Sequence, residues 1–357
     1  MKKVLLSLVA AASLLTACQD ESTKQDVELT QDVAVDMSDF YAFTTDETLG
    51  KGVNSHCQSM KVLNRQLNEN PGLYKKMYDL EYNTRKFIAG KKGGNGNGNG
   101  GGNNGGGGTG GDGGGTPVDD GLGVINIPVY VHVVYSNSNE NISDAQISSQ
   151  MRVLNDDFRM QNSDASNTPA EFASVAADTE ITFSLAGTFR YSNTRTSWGT
   201  NDAVKSAYPP ISPSTHLNIW VCNIGGGILG YAQFPGGNLS TDGVVCAPQY
   251  FGTTGFVQAP FNKGRTMTHE VGHYLNLRHI WGDGRCRQDD FVSDTPSSDG
   301  PNYGCPSYPT VNCRSNDMTM NYMDYTDDAC MSLFSQGQKE RMRATFQSGG
   351  GRSSILN

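Results

Sequence analysis

Three of the chain's six histidines fall within eleven residues, in the run His269-Glu270-Val271-Gly272-His273-Tyr274-Leu275-Asn276-Leu277-Arg278-His279. No other feature constrains the local fold as tightly. On a helix, positions i and i+4 project from one face, so His269 and His273 can aim ring nitrogens at a single ion, while Glu270, about 100° round, reaches the adjacent water. A third imidazole six residues after His273 cannot share that face of a continuing helix, because six residues is about 9 Å of axial rise. The helix must stop and the chain turn back. Asn276 is the place for this, since a turn with positive φ takes Gly first and Asn next. Three imidazoles leaving one position open for water suit a zinc site that does chemistry, whereas structural zinc is normally closed by four protein ligands. The bland alternative is a satisfied pair of surface histidines. His132, mid-strand, and His216, just before a strand, read as structural, and His56 is assigned no role.

The rest of the chain is uneven. Of its 43 glycines, 16 lie between Gly93 and Gly115, a tract that cannot bury a core and behaves as a flexible linker about 27 Å long. The chain as a whole is 36% hydrophobic and 18% charged, which supports a packed core outside the tract. The net charge of -9 and the lack of any basic run exclude a nucleic-acid binder. The apolar run Val4 to Leu15 follows Lys2 and Lys3 and is too short to span a bilayer, so it reads as a secretory signal. Its ending, Leu15-Thr16-Ala17-Cys18, resembles a bacterial lipobox, which makes Cys18 a lipidation site. Gln19-Asp20-Glu21 then looks like a surface-lipoprotein export tag. The expected location is the outer membrane or cell surface, with release after processing as the variant. The lipid would be the only membrane contact.

Four segments follow: a signal peptide over 1–17, a propeptide-like region over 18–89, a Gly/Asn-rich linker over 90–123, and a catalytic domain over 124–357. Val53 to Ile88 predicts one or two amphipathic helices. Strands are expected at Ile125 to Tyr135, Ile181 to Arg190 and Leu217 to Cys222, with a helix over Asp144 to Phe158 capped by Ser143 or Asp144. Beyond residue 282 turns dominate until a terminal helix at Ser335 to Phe346. Gly225 to Ala232 could be a sheet edge whose free backbone groups pair with a peptide, or a plain glycine-rich turn and strand.

The histidine run, the downstream Asn321-Tyr322-Met323-Asp324-Tyr325 and the cysteine-bearing loops between them resemble the pappalysin-type metzincin metallopeptidases, especially their bacterial cytophagalysin-like members. The likeness covers roughly Val124 to Phe346. It departs from the family pattern at Asn276, where Gly is usual. The resemblance implies an α+β fold, with a twisted mixed sheet and two helices above a cleft, and an irregular lower part with the C-terminal helix. It also implies that Met323 is the Met-turn floor beneath the imidazoles and that Tyr325 reaches the metal side. The chemistry expected is peptide-bond hydrolysis. Zinc lowers the pKa of its water, Glu270 acts as general base and Tyr325 donates to the oxyanion. The substrates would be proteins or peptides. A lipid-anchored binding or adhesion module, and a zinc hydrolase of non-peptide amides, are the other readings. For specificity, Asp327 and Asp328 follow the Met-turn where some relatives carry an acid that selects Arg or Lys.

The eight cysteines suit an oxidising compartment. The resemblance suggests Cys286 with Cys313 and Cys305 with Cys330, leaving Cys222 with Cys246 by elimination. Cys57 stands alone in the N-terminal region. A thiolate there could take the water's place at zinc and keep a zymogen silent, as related zymogens do, or it could be an inert buried thiol. Five aspartates between Asp283 and Asp299 suit calcium, which the family carries in this loop, with Asp290, Asp294 and Thr295 as candidate ligands.

Overall fold

The computed structural model describes residues 34–44, 56–93 and 119–356, which belong to one compact unit. The signal-peptide and Cys18 expectations and most of the glycine tract lie outside them. Among the described residues no helix is long and apolar enough to cross a membrane.

The scaffold starts from β1 (Ile125–Tyr135), whose Ile125, Ile127, Val129, Val131 and Val133 are buried on one side. A strand this apolar belongs in a sheet interior. It pairs in parallel with β2 (Ile181–Ser192) and β3 (Leu217–Val221), and β3 pairs in parallel with β5 (Val244–Cys246). β4 (Gly230–Ala232) closes the edge antiparallel to β5, giving the order β2-β1-β3-β5-β4. Helix α3 (Asp144–Phe158) begins where Ser143 accepts the amide of Gln146, and α6 (Arg265–Tyr274) packs beside it. Ile147, Leu154 and Phe158 of α3 and Met267, Val271 and Tyr274 of α6 join one face of the sheet in the main core. The other face packs Trp198, Trp220, Tyr231 and Val204 of the short α5 (Ala203–Ala207). Short helix α4 (Ala170–Ala173) precedes β2. Beyond α6 come only the two-residue strands β6 (Tyr303–Gly304), β7 (Val311–Asn312), β8 (Ser315–Asn316) and β9 (Tyr325–Thr326), then α7 (Gln336–Ala344), which Ser335 and Gln338 start with a capping box. This is the α+β arrangement expected.

Helices α1 (Ser59–Glu69) and α2 (Pro71–Gly93) lie against this body, α1 at β4 and α2 at α7. Met60, Leu63, Leu67, Leu73 and Met77 form a small core with Phe234 from the sheet side. α2 continues to Gly93, with Lys91 3.6 Å from Asp120, and Asp120 is held by Arg343 at 2.5 and 2.6 Å. These ion pairs fix both ends of the tract into the folded body.

The pairing of Cys222 with Cys246 is corrected: both are buried and free. Val221, not Cys222, is the register partner of Cys246. Side chains alternate across a strand, so Cys246 enters the core with α3 and α6 while Cys222 enters the opposite one. The sheet lies between the two sulfurs. Cys286 is bonded to Cys313 and Cys305 to Cys330, with Cα atoms 5.4 and 5.6 Å apart.

Candidate active site

Helix α6 ends at Tyr274, and Asn276 adopts φ 73°. The Asn276 amide reaches His273 O at 3.0 Å and the Leu277 amide reaches Gly272 O at 2.9 Å, a Schellman closure that satisfies the last carbonyls. The reversal brings His279 back under the helix. The Nε2 atoms of His269 and His279 each lie 3.1 Å from Nε2 of His273.

The other nitrogen of each ring is tied down. Nδ1 of His269 donates to Tyr322 O at 2.7 Å, Nδ1 of His273 donates to Leu277 O at 2.8 Å, and Nδ1 of His279 bonds the Asp283 carboxylate. Three Nε2 lone pairs therefore face one point. Burial, and then the neighbouring His279, hold His269 down to about 3, and burial pushes His273 well down as well. Three convergent Nε2 atoms, each on a ring whose Nδ1 is already engaged, fit a cation, and the donor set suits zinc. The Cys57 sulfur completes the group, with all four ligand atoms within 4.8 Å of one another.

Glu270 leaves this cluster sideways, as its position on the helix requires. Burial lifts its carboxyl to about 7, opposed by hydrogen bonds from Ser59 at 2.7 Å and Cys57 at 3.5 Å. A methyl at Gly230 would meet Glu270 Cγ at 2.9 Å, so the strand passes the carboxylate only because residue 230 has no side chain. Met323 is fully buried beneath α6, close enough that a methyl on Gly272 would meet its sulfur at 2.4 Å. Tyr325 packs its ring on His279 and Trp281, and its hydroxyl lies 3.4 Å from the carbonyl of Cys57.

The segment His56–Ser59 occupies the cleft. Leu229 N donates to His56 O at 2.9 Å, Gln58 N donates to Gly230 O at 3.1 Å, and Cys57 bridges Gly230 in parallel. Ser59 Oγ, besides donating to Glu270, accepts Ala232 N at 2.7 Å. The glycine-rich edge thus does pair with a peptide, and that peptide is the chain's own N-terminal segment. His56 lines the pocket beside His269 and Glu270 together with Phe261, Tyr325, Asp324 and Asp328. Asp328 accepts the amides of Lys263 and Arg265 and so closes the start of α6.

Ser59, His56 and Asp283 carry weight that sequence reasoning missed. A lone serine two residues after the cysteine has no spacing that marks it. Asp283, four residues after His279, could have been read as the partner of that imidazole. His132 and His216 stand away from the cluster, His132 bonded to Asn218 at 2.8 Å and His216 stacked on Tyr130. In the acidic loop, Asp290 accepts Thr295 Oγ1 at 2.9 Å and Val292 N at 3.1 Å, while Asp294 accepts Ser335 Oγ at 2.6 Å and Gly337 N at 2.8 Å at the start of α7.

A family model described as pregnancy-associated plasma protein-A matches residues 210–347. Extracellular metalloproteases of Pyricularia oryzae and Arthroderma otae are 34% and 30% identical to this chain, each alignment covering 62% of it and 75% and 78% of theirs. Mature mirolysin of Tannerella forsythia, solved with a cleaved peptide, superposes with a TM-score of 0.64 at 48% identity, covering 65% of this chain and 96% of that one. A promirolysin mutant of the same organism gives a TM-score of 0.70 at 39% identity, covering 85% and 97%.

Proposed function

This chain belongs to the pappalysin family of metzincin metalloproteases, and from that premise we propose that it is an exported zinc endopeptidase made as a zymogen. The observation that carries the reading is the convergence of three Nε2 atoms beside a buried glutamate and the chain's own cysteine. His269, His273 and His279 would hold zinc, which when bound lowers the pKa of a water and polarises the scissile carbonyl. Glu270 takes a proton from the attacking water and hands it to the leaving amine. Tyr325, whose hydroxyl is next to the Cys57 carbonyl here, donates to the substrate carbonyl oxygen as charge develops on it. Leu229 N and Gly230 O, taken by His56 and Gln58 in this form, would bind an extended substrate.

Residues 18–89 act as the propeptide and those from 124 as the catalytic domain. Cys57 holds the fourth position and Ser59 holds Glu270; a cut in the glycine tract severs the covalent tie, and both leave when the N-terminal segment is then removed. The match to promirolysin covers 85% of this chain and that to mature mirolysin 65%, which supports this division. Export rests on residues 1–17, and anchoring at the outer membrane on Cys18. Asp324 and Asp328 line the pocket next to Glu270, which supports a preference for Arg or Lys on the leaving side of the cut.

Calcium is supported only by the composition of the 283–299 loop, because Asp290 and Asp294 already accept hydrogen bonds from different partners. A calcium-selective chelator that leaves thermal unfolding unchanged removes it from the account. The protease reading is tested by mapping cuts in a peptide mixture by mass spectrometry. Cuts should cease with chelator and fall a hundred- to ten-thousandfold, roughly, in Glu270→Ala. Folded, zinc-loaded protein that never cuts would favour the binding-module reading.

A further inference from the structure

Arg278 and Arg341 belong to the catalytic body, yet the N-terminal segment supplies most of the acceptors that their guanidinium groups find. Arg341 is 2% exposed and donates through both terminal nitrogens to the Glu81 carboxylate, at 3.0 and 2.8 Å. Its other acceptor is Phe291 O at 3.3 Å. Arg278, 4% exposed, donates to the carbonyls of Tyr41 at 2.6 Å and Ala42 at 3.4 Å. Both cations lie against the ring of Phe291, 5.0 and 5.6 Å from its centroid. Arg278 Nη1 and Arg341 Nε have no hydrogen-bond partner among the described residues, so the pair carries spare donors. Asp290, whose charge acts on Arg341, is committed to Thr295 and Val292.

When the N-terminal segment leaves, Glu81 and both carbonyls leave with it. A planar guanidinium held in place by an aromatic ring is then left with a carboxylate-shaped gap opposite it. We propose that Arg278, Phe291 and Arg341 form an anion-binding exosite of the activated enzyme, which docks a Glu or Asp side chain of a polypeptide substrate and for which Glu81 is the built-in surrogate. The inference rests on the zymogen reading. The reach is already displayed by one polypeptide, the N-terminal segment, which holds the cleft through Cys57 and the arginines through Tyr41, Ala42 and Glu81. Arg278 directly precedes His279, so the exosite adjoins the catalytic centre in the chain.

Two measurements test it. In the full chain, Glu81→Ala should lower the thermal midpoint, and acetate should restore it saturably, beyond chloride at equal ionic strength. Glu81→Ala/Arg341→Gln should not respond to acetate. No acetate effect on a folded Glu81→Ala chain overturns carboxylate binding. Should that variant not fold, the second measurement decides. A fluorescent peptide of residues 71–91, which lacks Cys57, is titrated into the activated enzyme, cut in its glycine tract and freed of its N-terminal segment by further digestion. It should bind at least about tenfold more tightly than its Glu81→Gln version, and lose the same factor in the Arg341→Gln enzyme. It should also slow cleavage of an acidic protein while leaving a short neutral peptide unaffected. Equal binding of the two peptides, or binding without effect on the protein substrate, overturns the exosite. Peptide binding by an enzyme that cuts nothing overturns the protease reading and leaves the carboxylate site standing.

Discussion

Glu270 and Asn276 show how single positions set this site. Asn276 is the one left-handed residue in the reversal from His273 to His279, and it stands where an ordinary side chain costs about 1–2 kcal/mol. Asn276→Gly should keep full zinc occupancy and activity, while Asn276→Ala should lose about that much stability and some metal with it. Thermal unfolding and metal analysis of the two variants check this. Gly230→Ala carries a second residue-scale prediction, because its methyl would fall 2.9 Å from Glu270 Cγ and 3.0 Å from Val245 O. The strand cannot retreat from both, so kcat should fall at least tenfold, roughly, with zinc content unchanged. Much of this scale was legible in the sequence, since the HExxH spacing and the need for a reversal follow from helix geometry alone. Ser59 was not, because its role comes from where α1 lands on β4 and not from any local pattern.

At the scale of elements, α2 is fastened to α7 by Glu81 and Arg341, both buried, with Arg85 adding to the pair at 2.8 Å. Burial alone would raise the Glu81 carboxyl, but Arg341 and Arg85 hold it down to about 2, from an ordinary value of 4.5. A lowered acid stabilises the folded state fully above the ordinary value, and that stability is lost as pH falls from 4.5 toward 2. Glu81→Gln should therefore destabilise the full chain by about 3–5 kcal/mol at neutral pH and flatten its unfolding profile between those two values. Thermal melts across that range measure both effects. The strands and helices were legible because β1, α3 and α7 carry clean periodicity and caps. Pairing across the sheet was not: elimination joined Cys222 to Cys246, whereas strand alternation sends their sulfurs to opposite faces.

For the molecule as a whole, one chain folds its own N-terminal segment into its cleft. The tract between α2 and β1 is bounded by anchored ends, Lys91 near Asp120 and Asp120 on Arg343. A single protease cut there should yield two fragments that still co-elute at neutral pH, because α1 and α2 retain their core with Phe234 and the Glu81 pair. Size-exclusion chromatography of the nicked chain reads this directly, and the fragments should part when Glu81→Gln is introduced. Cys57 stood out in the sequence, but its place over the three imidazoles did not, since that depends on how α1 and α2 dock on β4 and α7. The reading proposed for this chain is a zinc peptidase silenced by Cys57. The most direct measurement is peptide cleavage by the uncut full-length chain as wild type, Cys57→Ala and Cys57→Ala/Glu270→Ala. Cleavage by Cys57→Ala alone is expected. That reading would be contradicted by a Cys57→Ala chain as silent as the wild type beside an active processed enzyme, or by cleavage that persists without Glu270.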